Sequence, residues 1–301
     1  MGRGPMVRTS GVPVTLLRAM RLRQWPKNVL VVVAPLAGGR LLEPGVAPRV
    51  LGAFVLFALA SSAMYLLNDV VDRERDAAHP VKRSRPVTSG QLPVRTAVVA
   101  SISLALLALA GSAALGPTSL ATVIAIYLGA TTLYSLRLKH EALWDVVLIA
   151  SGFLLRAVAG GAATGTPVST WFLVTTTAGA LFVAAGKRAS ELAAVPVGEV
   201  STRPSLAAYT PEYLRFVWTA AATVTVTATA VWGLEVAAGS ARPALAQGSV
   251  APLALAVLRY GWWIDRGEAE APEDVLRGDR SLVVLGTLWA ALLLGSTGAL
   301  G

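Results

Sequence analysis

No cysteine occurs among the 301 residues, so neither a disulfide framework nor a thiolate metal site is possible. Two histidines give no basis for a His-rich zinc site. Charge is scarce as well: 14% of residues are charged, where a soluble domain carries about a quarter. Lysine is the rarest base, four of 26. No internal repeat and no low-complexity linker is evident. The paired Gly/Pro interruptions of a broken-helix transporter are missing too. These absences exclude a small secreted domain and an ordinary soluble enzyme.

What is present is apolar. Hydrophobic residues make up 54% of the chain, and stretches near the length of a bilayer span recur about nine times. The expected spans are 28–41, 50–67, 96–115, 119–136, 142–160, 170–186, 216–236, 249–264 and 281–299. The first contains Pro35 and Gly38 and is expected to be kinked or tilted. Residues 1–27 hold six bases and no acid, and the apolar stretch after them has no A-x-A-like exit. The expectation is therefore a first membrane helix, not a cleaved leader. With the N-terminus cytoplasmic, segments 1–27, 68–95, 137–141, 187–215 and 259–280 are inside or at the inner boundary. They hold 22 Lys and Arg residues; the outside holds Arg40, Arg49 and Arg242. That asymmetry is a strong positive-inside signal. The fold class expected is all-α: a polytopic membrane protein of about nine helices, with its chemistry on the cytoplasmic face. The net charge of +9 suits anionic lipid heads and anionic substrates, and nothing points to nucleic acid. One membrane domain, 28–301, follows a cytoplasmic segment, 1–27; a homo-oligomer is compatible with the sequence.

The charge that exists is concentrated. Residues 68–90 read NDVVDRERDAAHPVKRSRPVTSG. On a helix, Asn68, Asp69, Asp72 and Asp76 share an arc of roughly 100° over two turns. Like charges at i,i+3 and i,i+4 repel, so a cation belongs among them. Oxygen donors at this density suit Mg²⁺, which takes one or two carboxylates and fills its remaining positions with water and phosphate. Pairing of the acids with Arg73, Arg75 and loop bases at a solvated helix end is the alternative. Pro80 and Pro86 stop helices, and Ser89-Gly90 favours a turn. Lys82, Arg83 and Arg85 then stand beside the acids as a diphosphate clamp or as a lipid-facing basic loop.

The other inner ends hold further polar groups. Gln24, Trp25 and Lys27 precede the first span; a base at a helix start conflicts with the dipole and suggests an anion there, or snorkelling. Arg156 lies inside the fifth span, about 16 Å from Asp145 on the same face, too far to pair. An intramembrane arginine marks a polar cavity, and a substrate anion or an acid from another helix would answer it. Lys187, Arg188 and Glu191 close the sixth span. Each of the four lysines, Lys27, Lys82, Lys139 and Lys187, lies at an inner helix end or in the loop beside the acids.

The N-D-x-x-D-x-x-x-D pattern from Asn68 to Asp76, followed by the basic loop and R-P-x-x-S-G, resembles the first aspartate-rich motif of the UbiA prenyltransferase superfamily. The resemblance implies a nine-helix bundle with a cytoplasm-facing central cavity and Mg²⁺-assisted cleavage of a carbon–diphosphate bond. In that superfamily a Tyr and a nearby Lys after the fourth span contact diphosphate. Tyr134 and Lys139 stand here one residue further apart than is common, and Arg137 could substitute. The second aspartate-rich motif is replaced by Lys187, Arg188 and the single acid Glu191. RQWPKN, LRLKH, LLRAVAGG, AGKRASEL, SLAAYTPEYLRFVW, LRY and APEDVLRGDR are similar to the branch that moves phosphoribose onto polyprenyl phosphate.

That branch implies phosphoribosyl pyrophosphate (PRPP) as donor and a polyprenyl (decaprenyl) phosphate as acceptor. The product would feed arabinan cell-wall precursors. By this reading Asn68, Asp72 and Asp76 hold Mg²⁺, with Asp69, Asp72 and Asp76 as the catalytic acids. Lys27, Gln24, Lys82, Arg83, Arg85, Tyr134, Arg137, Lys139, Arg156, Lys187, Arg188 and Glu191 bind substrate. The nearest rival is a UbiA-type prenyltransferase acting on an aromatic acceptor. A transporter would need movement across the membrane without product, and a scaffold leaves the carboxylates unexplained.

Overall fold

The computed structural model describes residues 12–115, 118–196 and 204–296. Parts of the expected segments 1–27, 187–215 and 281–299, and residues 116 and 117 between two expected spans, lie outside the described residues. Among the described residues every regular element is helical. Helix α1 (Val12–Ala19) leads into a 3₁₀ stretch, Leu22–Val32, that runs on into α2 (Val33–Ala37). Then follow α3 (Val46–Val71), α4 (Arg73–Ala77), α5 (Val94–Leu115), α6 (Thr118–Leu136) and α7 (Trp144–Thr164). The second half holds α8 (Thr170–Ala193), α9 (Pro204–Ala207), α10 (Pro211–Ala238), α11 (Pro243–Gly248) and α12 (Val250–Asp265). Last come α13 (Pro272–Gly278) and α14 (Arg280–Ser296).

Five of these, α3, α5, α6, α7 and α10, are long and apolar enough to cross a membrane; α13 and α14, bent by 86° at their junction, add a sixth only if the pair is taken as one span. The expected nine spans are thus not all of one kind. Helix α8 has 24 residues but carries Lys187, Arg188 and Glu191 in its last turns. Helices α12 and α14 have 16 and 17 residues. The first expected span, 28–41, is mostly not an α-helix: eleven residues from Leu22 are 3₁₀, and only five from Val33 are α. Pro26, inside that 3₁₀ stretch, removes one backbone donor.

Close helix contact fixes where this irregular segment sits. A Cβ added at Gly160 of α7 would stand 1.8 Å from the Val31 carbonyl oxygen, so only glycine lets the two backbones approach this far. Small residues serve packing in this way where lipid removes the hydrophobic drive. A core of Phe57, Ile124, Tyr127, Ala159 and Val31 then joins α3, α6, α7 and the 3₁₀ stretch. Phe182, Trp218, Tyr260 and Ile264 join α8, α10 and α12. Side-chain caps start two of the long helices: Ser169 Oγ accepts from Phe172 N at 3.0 Å, and Thr210 Oγ1 from Tyr213 N at 3.1 Å. The α13–α14 elbow is pinned by Asp279. Its carboxylate accepts from Ser281 N and Leu282 N at 2.8 and 3.1 Å, and from Arg259 Nε and Trp263 Nε1 at 2.7 Å each.

Candidate active site

The acidic stretch does not lie on one continuous helix. Helix α3 ends at Val71, Asp72 sits at its C-cap with φ −90° and ψ 4°, and α4 starts at Arg73. The break redistributes the acids that a straight helix would align. Asp69 and Asp76 are buried and converge on one nitrogen: Arg85 Nη1 is 3.2 Å from Asp69 Oδ1 and 2.5 Å from Asp76 Oδ2. Asp72 instead accepts from Lys139 Nζ at 2.6 Å. Asp69 also meets the Arg21 guanidinium, which lies 5.0 Å over the Tyr65 ring. Arg21 has φ 53°, a left-handed conformation that L-residues rarely adopt. The reversal there turns the chain from α1 into the 3₁₀ stretch.

The basic loop is folded onto these acids by its own histidine. His79 Nδ1 accepts from Val81 N at 3.2 Å and Lys82 N at 3.3 Å, a role open only to the neutral ring. Partial burial holds its pKa below the ordinary histidine value; the Lys82 charge acts in the same direction, Asp76 pulls the other way, and Arg85 adds least. Arg85 turns inward, Lys82 is half-buried and Arg83 is exposed. Across the mouth, Lys139 is buried on a 3₁₀ turn, Leu138–His140, while Tyr134 is half-buried and Arg137 exposed.

A second polar region lies deeper. Arg156, 6% exposed, donates from Nε to Asn28 Oδ1 at 2.8 Å, from Nη1 to Gly152 O at 2.6 Å and from Nη2 to Tyr127 Oη at 3.2 Å. Phe57, Tyr127 and Phe153 present their rings to the guanidinium at 5.3, 5.1 and 5.9 Å. Among the described residues no carboxylate pairs with it. Lys27 is near enough to feel both Arg156 and Lys187 as like charges. Among the described residues two acids stand beside these three cations: Glu191, 3.8 Å from Lys187 Nζ, and Glu273, 3.5 Å from Lys27 Nζ. Gln24 Nε2 donates to the same carboxylate at 3.2 Å.

Arg188 is placed differently from its neighbour Lys187. It is 1% exposed, donates from Nε to Asp145 Oδ2 at 2.8 Å, and pairs with Glu191. Asp145 also accepts from Ser205 Oγ at 3.2 Å and Tyr209 Oη at 2.7 Å. This buried network ties the start of α7 to the end of α8 and to α9. It leaves Lys187, 3.8 Å from Glu191 and partly exposed, as the base of this turn that can meet solute.

The donors available to a metal are oxygens alone: Asn68, Asp72 and Asp76, with Asp69 beside them. Two carboxylates already enclose one cationic nitrogen, so the corner is built for positive charge. No group of three or more Asp, Glu, His or Cys among the described residues is disposed to hold an ion by itself. A divalent ion at this corner would have to draw most of its ligands from phosphate oxygens and water, as Mg²⁺ usually does, and not from an all-protein cage.

Residues 29–278 match the UbiA prenyltransferase family. The chain belongs to the UbiA prenyltransferase family. It is 42% identical over 280 residues to a decaprenyl-phosphate phosphoribosyltransferase of Mycobacterium tuberculosis, covering 92% of each chain. A protein of the same name from Mycolicibacterium smegmatis is 41% identical over 306 residues, covering 97% of this chain and 95% of the relative. Among solved structures, a UbiA homolog from Archaeoglobus fulgidus bound to DMAPP and Mg²⁺ superposes with a TM-score of 0.70 at 18% identity, over 95% of this chain and 98% of that one. A digeranylgeranylglyceryl phosphate synthase gives 0.69 at 14% identity, over 96% and 99%. These last two show the UbiA fold. Several residues of this candidate site escape sequence reading: Arg21, Asn28, Tyr65, Tyr127 and Glu273. Asn28 and Tyr127 carry the signal of polar atoms inside apolar stretches. Glu273 resembles an ordinary first-turn acid after Pro272, which hides it.

Proposed function

We propose that this chain transfers the 5-phosphoribosyl group of PRPP to a polyprenyl phosphate, of which decaprenyl phosphate is the instance its relatives' names give. The observation that supports it most directly is the two-sided distribution of cations. Lys82, Arg85 and Lys139 stand at the acidic corner. Lys27, Arg156 and Lys187 stand apart from it, with Arg156 free of any carboxylate partner among the described residues. A prenyl donor presents one diphosphate; PRPP and a lipid phosphate present a diphosphate and two further phosphates. The aromatic-acceptor alternative leaves the second group of cations without a ligand.

Asn68, Asp72 and Asp76 would hold Mg²⁺, which supplies charge neutralisation at the diphosphate. Lys82, Arg85 and Lys139 or Arg137 neutralise the leaving pyrophosphate, with Arg83 and Tyr134 at the edge of that mouth. Lys27, Gln24, Lys187 and Arg156 hold the 5-phosphate and the lipid phosphate. Arg188 and Glu191 act by fixing the end of α8 beneath Lys187. The ribose C1–O bond to the diphosphate breaks, its electron pair leaving with pyrophosphate. An oxygen of the lipid phosphate forms the new bond to C1. That oxygen is already ionised, so no strong general base is needed, and catalysis rests on positioning and charge.

In this reading the bundle makes nine crossings: the five long helices, the segment Leu22–Ala37, α8, α12 and α14. The site faces the cytoplasm, on the side holding 22 of the 26 bases, in the plasma membrane. The test is transfer of label from PRPP, in the presence of Mg²⁺, into polyprenyl phosphate by the purified protein. Label appearing instead from prenyl diphosphate in an aromatic acceptor favours the alternative.

A further inference from the structure

Glu273 is an unexpected neighbour for phosphates. It stands in the first turn of α13, on the short helix held across the cytoplasmic side by the Asp279 elbow, and reaches back to the first segment. Oε1 accepts from Gln24 Nε2 at 3.2 Å. Oε2 lies 3.5 Å from Lys27 Nζ, yet it is buried and accepts no hydrogen bond. The Tyr260 hydroxyl, on a residue 3% exposed, has no partner either, and it lies within reach of the Glu273 charge. Asn28 Nδ2 is a third buried polar atom without a partner.

A pocket made for phosphate alone would gain nothing from this carboxylate, which repels an arriving anion. A carboxylate with an open oxygen, beside Lys27 and within electrostatic range of an unpartnered hydroxyl, matches a group that donates hydrogen bonds and lies between phosphates. Sugar hydroxyls are such donors; a hydrocarbon donor has none. The same chemistry places an acid on ribose hydroxyls in dinucleotide sites.

We infer that Glu273 accepts hydrogen bonds from the ribose 2- and 3-hydroxyls of the donor, with Tyr260 beside it, and so selects a pentosyl over a prenyl donor. This rests on the phosphoribosyl-donor reading above. Gln24 orients the carboxylate, and Lys27 balances its charge while meeting phosphate. The competing role, a counter-ion that merely neutralises Lys27, makes the opposite prediction for simple anions.

The experiment measures equilibrium binding of two probes, ribose 5-phosphate and inorganic pyrophosphate, to the full-length protein and to Glu273→Ala, Glu273→Gln and Tyr260→Phe. Glu273→Ala should weaken ribose 5-phosphate roughly 10- to 100-fold, the usual loss for hydrogen bonds to a charged group, and leave pyrophosphate unchanged. Glu273→Gln, which keeps the shape, should fall between, and Tyr260→Phe should weaken ribose 5-phosphate alone. Kinetics with 2-deoxy and 3-deoxy PRPP give a second readout: the normal protein should disfavour both, and Glu273→Ala should lose that preference. Tighter binding of both probes by Glu273→Ala would assign the residue to neutralising Lys27 and overturn the inference. So would undiminished discrimination against the deoxy donors. Absence of any turnover of PRPP by the unaltered protein, with turnover of prenyl diphosphate, would instead remove the donor reading itself.

Discussion

Removing Asp145 tests whether the buried network at the end of α8 is architecture or chemistry. The side chains of Asp145 and Arg188 are 0% and 1% exposed and 2.8 Å apart. Taking away one partner of such a pair leaves a buried charge uncompensated, at a cost of about 3–5 kcal/mol. Glu191 retains part of the Arg188 charge, which places Asp145→Ala near 3 kcal/mol for the ion pair. The Tyr209 and Ser205 hydroxyls lose their acceptor too, adding about 1 kcal/mol or more. Arg188→Met alone strands Asp145 and should cost about 3 kcal/mol. The double variant, Asp145→Ala with Arg188→Met, removes both charges and should cost well under the sum of the two single losses, the Tyr209 and Ser205 hydroxyls still lacking their acceptor. Denaturant titration in detergent, followed by circular dichroism, reads all four stabilities. Turnover per folded molecule should survive Asp145→Ala to within about tenfold, roughly 1.4 kcal/mol of barrier. Additive single and double effects would refute the reasoning. So would an unchanged stability with activity abolished, since that would move Asp145 into the reaction.

Two more outcomes are expected. Gly160→Ala sets a methyl 1.8 Å from the Val31 carbonyl oxygen, a backbone atom that cannot rotate away; it should destabilise by about 3 kcal/mol. Gly129→Ala, with nothing within 4 Å, should be neutral or slightly stabilising, and the same titration compares them. The His79 loop should loosen in acid. Its pKa is held below the ordinary value, so the neutral, folded form is favoured above about pH 6.5; that contribution is lost as pH falls through the lowered value. The protection factors of the Val81 and Lys82 amides in hydrogen exchange should fall there, and His79→Ala should abolish that pH dependence.

Hydropathy located most helices well because lipid demands it. The expected spans 96–115, 119–136 and 249–264 differ by two residues or fewer at either end from Val94–Leu115, Thr118–Leu136 and Val250–Asp265. It failed where charge does not end a helix. Apolar count stops α8 at 186, but the helix runs to Ala193, because Arg188 pairs with the buried Asp145 of α7 and Glu191 pairs with Arg188 along the helix. It failed again at 28–41, where Pro26 and the approach to Gly160 produce a 3₁₀ segment that no apolar count reveals. In the site, the grouping of acids and bases at one mouth was legible from spacing. The pairing was not: the break at Asp72 sends that carboxylate to Lys139 and leaves Asp69 and Asp76 to Arg85. Contacts across 249 residues of sequence, such as Gln24 with Glu273, leave no local trace.

The most direct measurement of the whole account is transfer from labelled PRPP into polyprenyl phosphate by the purified protein and its Asp72→Ala variant, with Mg²⁺ present. The account predicts lipid-soluble label and stoichiometric pyrophosphate from the parent, and a loss of at least about 10²-fold in the variant, with stability retained. A folded parent that releases pyrophosphate without labelling lipid, or an Asp72→Ala protein as active as the parent, would contradict it.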